Sequence, residues 1–336
     1  MENIDSIDEL RKVLLTAFDK YDSIGLLTHK DPDGDGLSGC LVLQEILQAK
    51  KNKQVSIILE STAPDNLDLL DAKSRTIIYE EALTFPFILI VDCHNRDRLG
   101  VCSSLVDKAE LTIAIDHHED NGDDEVDYLF NDPGMVSVGA IIYESFKNEL
   151  HAFPKQSKEY SATALYVTLL NDTNNFVNSN TDAAVFQFAA ELTRMGIKPY
   201  EITKTFMLTK PAKYFRFIGE TLSTIRLFFE GKVLFFHSTL KMLQDNNLHS
   251  DATSKVTNWV KKPLGVEIVV YFREIARNRY RLSLRSESID VNLLAQKYSG
   301  GGHINASGCE ISGTLSDVQQ ALLNDIEDVL EASGKH

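Results

Sequence analysis

Eight residues, His29-Lys-Asp-Pro-Asp-Gly-Asp-Gly36, carry one imidazole and three carboxylates. Pro32 and the two glycines bar a helix through the stretch, so it reads as a loop following the short apolar run Ile24–Leu27. Oxygen and imidazole donors packed this closely repel one another unless a cation neutralises them, and a set without thiolate suits Mn, Mg, Fe or Zn. The expected chemistry is metal binding. The spacing Asp31-x-Asp33-x-Asp35-Gly36 also opens a calcium-loop pattern, but the twelfth position, where a bidentate glutamate belongs, is Val42. A solvated Asp–Gly turn is the remaining reading of this stretch alone.

Donors of the same kind recur. Asp92 follows the apolar run Pro86–Val91, and Asp116-His117-His118 follows Leu111–Ile115. A lone Asp after a strand usually serves a turn or helix cap. Three acidic or imidazole clusters after three strands are not accounted for in that way. Asp172, in Asn171-Asp172-Thr173, is a candidate fourth donor, although its own segment also reads as a helix C-terminal turn. Later in the chain, Arg281, Ser283 and Arg285 alternate with Tyr280, Leu282 and Leu284, giving one packing face and one polar face. Gly300-Gly301-Gly302-His303 then offers backbone N–H groups and an imidazole to phosphate oxygens. It lacks both Walker A and dinucleotide-fold spacing.

The elements that must hold these residues follow from periodicity. Ser6-x-x-Glu9 caps an amphipathic helix over 6–20. Helices are also expected over Leu37–Lys51, Val136–Leu150, Ser157–Leu170 and Thr181–Met195. Strands over Ile24–Leu27, Val55–Leu59, Pro86–Val91 and Leu111–Ile115 alternate with helices, each apolar throughout, which describes a parallel α/β sheet with its ligand crevice beyond the strand ends. The later strands, Val233–His237, Val266–Phe272 and Tyr280–Ser286, include a hairpin across Arg277-Asn278 and precede a short helix over Val291–Lys297.

The chain has 336 residues, 43% of them apolar and 25% charged, enough for two domains of ordinary soluble composition. No run reaches the length of a membrane span, and the acidic N-terminus lacks the basic start of a signal peptide, so the expected location is the cytoplasm, with no membrane partner. Cys40, Cys93, Cys102 and Cys309 are scattered and read as reduced thiols. A net charge of −15 argues against binding duplex DNA or long single strands. Between Lys255 and Arg285, however, eight basic residues, Lys261 and Lys262 among them, face only Glu267 and Glu274. An acidic donor-bearing part and a basic later part suit a phosphate as ligand.

Taken together, these motifs resemble the DHH/DHHA1 phosphoesterase superfamily, in its branch of nano-RNases and 3′,5′-bisphosphoadenosine (pAp) phosphatases. The 29–36 loop is similar to the first family motif. Val91-Asp92 with Arg98-Leu-Gly100 resembles the second, Asp116-His117-His118 the third, and Asn171-Asp172-Thr173 with Phe176 and Thr181 the fourth. Ser283 to Ser286 and Gly300 to Gly308 resemble substrate-binding elements of the DHHA1 domain. The resemblance implies an α/β DHH domain over 1–198, a helical connector over 199–228 and a smaller α/β DHHA1 domain over 229–336, with the active site in the cleft between. It further implies two divalent ions, Mn²⁺ first, with Mg²⁺, Co²⁺ or Fe²⁺ as alternatives. His29 and Asp33 would hold one ion, Asp35, His117 and Asp172 the other, with Asp92 bridging. Asp116 would steer His117 from behind, His118 and Arg98 would meet the scissile phosphate, and Ser283, Arg285, Gly300, Gly301, Gly302 and His303 would bind substrate. Departures from the family pattern are Glu119-Asp120-Asn121 after the triplet and Ala140 where glutamate is common.

The implied reaction is hydrolysis, by a metal-activated hydroxide, of short RNA and linear dinucleotides to 5′-mononucleotides, or of pAp to AMP. Cyclic dinucleotides or polyphosphate are alternative substrates of the same site, and a non-catalytic nucleotide sensor is the alternative outside enzymes. The sequence leaves open whether the chain is a monomer or a homodimer.

Overall fold

The strand Phe87–Val91 is buried at every residue, yet its side chains go to two different cores. Phe87, Leu89 and Val91 join one cluster and Ile88 and Ile90 another, because alternate side chains leave opposite faces of a strand. A strand covered on both faces must be apolar throughout, which is why this run shows no alternation. In the computed structural model, residues 2–50, 53–118, 126–253, 256–260 and 263–332 are described. The chain divides into two units, Met1–Thr209 and Lys210–His336.

The first unit holds a seven-stranded sheet of β1 (Glu2–Asn3), β2 (Ser23–Leu27), β3 (Gln54–Leu59), β4 (Thr76–Ile78), β5 (Phe87–Val91), β6 (Leu111–Asp116) and β7 (Tyr128–Asn131). Every pairing is parallel, in the order β1-β7-β6-β5-β2-β3-β4. The chain adds β3 and β4 on one side of β2, then crosses to lay β5 on the other side. This reversal makes a topological switch point between β2 and β5, where the loops leaving the two strands diverge and open a crevice. The short strands β1, β4 and β7 have no sequence counterpart in periodicity, being two to four residues long.

Helices cover the sheet. They are α1 (Ile7–Lys20), α2 (Gly36–Gln48), α3 (Ala72–Arg75), α4 (Val138–Ala152), α5 (Lys155–Asp172), α6 (Ala183–Arg194) and α7 (Pro199–Thr203). Ser6 caps α1 by accepting the Glu9 N–H, but Glu9 returns its carboxylate to the Asp5 N–H, one residue before the cap. Among the described residues no helix is long and apolar enough to cross a membrane.

Helices α4 and α5 meet at Gly139. A Cβ there would lie 2.0 Å from Thr168 Oγ1 and 2.7 Å from Thr168 Cβ and Cγ2. Thr168 is fully buried, and its hydroxyl donates to the Leu165 carbonyl, so it has no room to swing aside. Gly139→Ala is expected to lower stability by about 1–3 kcal/mol, read as a lower urea midpoint at unchanged slope; an unchanged midpoint would refute the tight contact.

The second unit contains α8 (Ala212–Leu222), β8 (Arg226–Phe228), β9 (Val233–Ser238), α9 (Leu240–Asp245), β10 (Ile268–Ala276), β11 (Arg279–Ser286), α10 (Val291–Gln296), β12 (Gly301–His303), β13 (Ala306–Ser312) and α11 (Leu315–Ala332). Its sheet runs β12-β13-β11-β10-β9-β8. Side chains of β9 and β10 divide between two cores, whereas β11 buries only Tyr280, Leu282, Leu284 and Ser286. That difference explains continuous apolarity in β10 and alternation in β11. The stretch 199–228 is folded into the two units: Ile202 and Phe206 lie in the first core, Phe217 and Ile218 in one of the second unit's.

Gly301–His303 forms an edge strand paired antiparallel with β13. Gly302 has φ +145, and a Cβ at Gly300 would sit 2.2 Å from the Gly308 carbonyl oxygen, so at these two positions backbone approach requires glycine. Lys255, Lys261, Lys262 and the Glu119-Asp120-Asn121 segment lie outside the described residues.

Candidate metal centre

The loop leaving β2 is shaped by its own acids. Asp33 Oδ1 accepts the N–H groups of Asp35 (3.0 Å) and Gly36 (3.3 Å), an Asx turn that starts α2. Gly36 has no space for a side chain: a Cβ would lie 2.1 Å from Thr28 Oγ1 and 3.2 Å from Asp92 Oδ2. Its bareness lets the residue after β5 come close. Asp92 itself has φ +65 and is buried.

Asp35 is fully buried, and its carboxylate accepts the Val138 (2.7 Å) and Gly139 (3.2 Å) N–H groups at the start of α4. A helix N-terminus is a favourable seat for a carboxylate. Asp172 closes α5, and so reaches the site from a helix end.

The donors predicted from sequence are brought together. His29 Nε2 lies 3.5 Å from Asp92 Oδ2 and 3.7 Å from Asp33 Oδ1. His117 Nε2 lies 3.2 Å from Asp172 Oδ2, 3.3 Å from Asp35 Oδ2 and 3.4 Å from Asp92 Oδ1. Three overlapping groups have all their donor atoms within 4.8 Å: His29, Asp33 and Asp92; Asp35, His117 and Asp172; and Asp92, His117 and His118. Asp92 Oδ1 and Asp172 Oδ2 are buried with no hydrogen-bond partner. Such atoms are costly to leave unsatisfied. Carboxylate and imidazole donors converging on oxygens that lack a hydrogen bond fit a divalent cation.

Without a cation, protons compensate the crowded carboxylates. Burial, and then the charges of Asp172 and Asp92, push the Asp35 carboxyl well above its usual range. Burial would lower the His29 pKa, but its contacts with Asp33 and Asp92 outweigh this and raise it from 6.5 to about 9. His117 is raised in the same sense, its burial outweighed by Asp172, Asp35 and Asp92. Because the folded pKa of His29 exceeds its unfolded value, the protonated ring stabilises the metal-free protein fully below pH 6.5. That contribution is lost as pH rises through about 9. The melting temperature in chelator is therefore expected to fall across this window, while metal uptake within it releases protons. A flat profile would contradict the assignment.

Asp116 differs from its expected partnership. Its Oδ1 meets His118 Nδ1 at 2.7 Å and accepts the backbone N–H of His117 (2.7 Å), while Oδ2 meets His94 Nδ1 at 2.5 Å. The rings it holds are thus those of His118 and His94. His117 Nδ1 instead donates to the Met135 carbonyl (3.2 Å), which turns Nε2 to the acids. These bonds, with the burial of its carboxyl overcome, hold Asp116 below the usual carboxylate range. Arg98 is half-buried; its carbonyl accepts the Lys30 N–H (2.7 Å), tying the β5 loop to the β2 loop.

Sequence reasoning missed three participants: buried His94, the N–H pair at Val138 and Gly139, and Asn171. The Asn171 amide donates to Asp33 Oδ2 (2.8 Å) and Asp172 Oδ1 (2.9 Å). Only the Ser137 cap preceding Val138 is visible in the sequence as a helix-start signal.

The second unit has its own cleft of about 690 Å³, lined by Ser283, Arg285, Gly300, Gly301 and Ser307 among others. Gly302 and His303 do not line it; His303 is exposed, and its carbonyl accepts the Ser307 hydroxyl (2.7 Å). Arg279 and Arg281 are both engaged by Glu310. Arg285 has no carboxylate partner among the described residues and donates only to the Leu284 carbonyl (2.9 Å); burial lowers its pKa.

A family model described as the DHH family, N-terminal domain, matches residues 23–169, and one described as the DHHA1 domain matches residues 232–332. The bifunctional oligoribonuclease and PAP phosphatase NrnA of Mycoplasma genitalium is 28% identical, over 90% of this chain and 94% of that protein. The protein of the same name from Thermus thermophilus is 28% identical, over 92% of this chain and 88% of its own. An exopolyphosphatase-related protein from Bacteroides fragilis superposes with a TM-score of 0.83 at 21% identity, covering 96% of this chain and 95% of that one. The last likeness is one of fold.

Proposed function

Since the chain belongs to the DHH family, with the family's N-terminal domain followed by a DHHA1 domain, we propose that it hydrolyses short oligoribonucleotides and linear dinucleotides to 5′-mononucleotides and pAp to AMP. Relatives named for both activities align along nearly their whole length. The observation that carries the reading is the pair of buried oxygens, Asp92 Oδ1 and Asp172 Oδ2, which face His117 Nε2 at 3.4 and 3.2 Å yet complete no hydrogen bond, within a ring of donors.

In this reading His29 and Asp33 hold one divalent ion, Asp35, His117 and Asp172 a second, and Asp92 contributes to both. Manganese is the ion proposed, since imidazole beside carboxylate tilts the set away from magnesium. Such ions, when bound, acidify water and neutralise charge on a phosphoryl group. The chain's residues supply the remainder. Asp35, seated on the α4 N-terminus, and His117, turned by Met135, are fixed before any ligand arrives, so little reorganisation accompanies binding. His118 keeps Nδ1 on Asp116, which leaves Nε2 as the ring atom for a phosphate oxygen. Arg98 adds positive charge beside the same loop. In the second unit, Arg285 takes a terminal phosphate, with the Ser283 hydroxyl and the backbone at Gly300 and Gly301 beside it. A compact clamp on one phosphate favours short chains.

The test is kcat/KM on one manganese-loaded preparation across linear dinucleotides, pAp, cyclic dinucleotides and polyphosphate. Linear dinucleotides and pAp are expected to lead, giving 5′-mononucleotides and AMP. Turnover confined to cyclic dinucleotides or polyphosphate would overturn the substrate class, and no turnover at all would overturn hydrolysis.

A further inference from the structure

Asn171 touches one acid from each of the two principal donor groups. Its Nδ2 donates to Asp33 Oδ2 at 2.8 Å and to Asp172 Oδ1 at 2.9 Å, and its Oδ1 accepts the Gly34 N–H at 3.3 Å. A primary amide has two N–H groups, and both are used, one on each carboxylate. The orientation is dictated by its surroundings: carboxylates only accept, and the Gly34 N–H only donates, so the amide cannot be reversed.

Each carboxylate is thereby divided. One oxygen rests on the amide; the other faces the donor group, Asp33 Oδ1 at 3.7 Å from His29 Nε2 while also accepting the Asp35 and Gly36 N–H groups, and Asp172 Oδ2 at 3.2 Å from His117 Nε2. The loop carrying Asp33 is held to α5 by the same side chain, since a Cβ at Gly34 would already lie 2.9 Å from Asn171 Cβ. His117, itself a donor, also lies near acids of both groups, but among the described residues no side chain outside the two groups does so.

We infer that Asn171 is a positioning residue that joins the two donor groups, presenting a single oxygen of Asp33 and of Asp172 to the ions and coupling the occupancy of one group to the geometry of the other. The inference rests on the two-ion reading above. Aspartate at 171 would supply no donor and would add a fifth carboxylate to Asp33, Asp35, Asp92 and Asp172, whereas leucine fills the volume without donors.

The test is calorimetric titration of the full chain with Mn²⁺ alone, no substrate present. Partners that orient ligands are worth about 10–100-fold in metal affinity. Asn171→Leu is expected to weaken both binding steps by that order, with cooperative unfolding retained in chelator. Should the leucine variant fail to unfold cooperatively, Asn171→Ala carries the same expectation. Unchanged affinity would overturn the inference, and weakening of one step alone would overturn the coupling. A wild-type chain that binds no Mn²⁺ would overturn the proposed function itself and the inference with it.

Discussion

An Asp92→Asn protein is expected to turn over a labelled dinucleotide at least about a thousandfold more slowly, some 4 kcal/mol of barrier, while still melting cooperatively in chelator, close to the wild type. The two halves of this expectation have separate causes. Asp92 belongs to two of the three donor groups, so losing its charge weakens the grip on both proposed ions. In their absence that charge acts in both directions: with burial and the Asp172 charge it pushes the Asp35 carboxyl up, while its contact with His29 favours the protonated ring. Asparagine also keeps the shape and tolerates the left-handed backbone, φ +65, at this position. Turnover within tenfold of wild type would exclude Asp92 from the reaction. A large fall in melting temperature would mean that the residue serves the fold instead.

Arg285→Ala is expected to lower kcat/KM on both dinucleotides and pAp by about 10–100-fold, mainly through KM, as befits loss of a charge-assisted hydrogen bond worth about 1.5–3 kcal/mol. Arg281→Ala, four residues away on the same strand, should leave kcat/KM within about twofold. The contrast is what matters. Both line the cleft, but Arg281 is occupied by Glu310, whereas Arg285 has no carboxylate partner among the described residues. Arg285→Lys should recover only part of the loss, because an ammonium cannot make the two-pronged contact of a guanidinium. Equal effects at 281 and 285 would remove the special role of Arg285.

The donors and the sheet were legible in the sequence for the same reason. Runs such as Phe87–Val91 and Leu111–Ile115 are apolar because both faces are covered, and a parallel strand with covered faces has only its end loop for polar chemistry. Charged residues directly after such runs therefore mark the crevice. Asp172 was ambiguous because it sits on the last turn of a helix, where an acid has several ordinary uses. The supporting contacts were not legible. Asp35 to Val138 and Asn171 to Asp33 each join residues more than a hundred positions apart, and no local pattern encodes them. His94 was hidden likewise, its ring meeting Asp116 across two neighbouring strands. The glycine triplet was legible only in part. Glycine signals close backbone approach, and here what approaches is β13 rather than a ligand alone. Arg281 looked as available as Arg285 until Glu310, on the adjoining strand, was seen beside it.

The measurement closest to the central claim is an anomalous difference map from crystals grown with Mn²⁺ and recorded at the manganese edge. The account predicts two peaks per chain, one among His29, Asp33 and Asp92 and one among Asp35, His117 and Asp172. A single peak, or peaks away from these side chains, would contradict it.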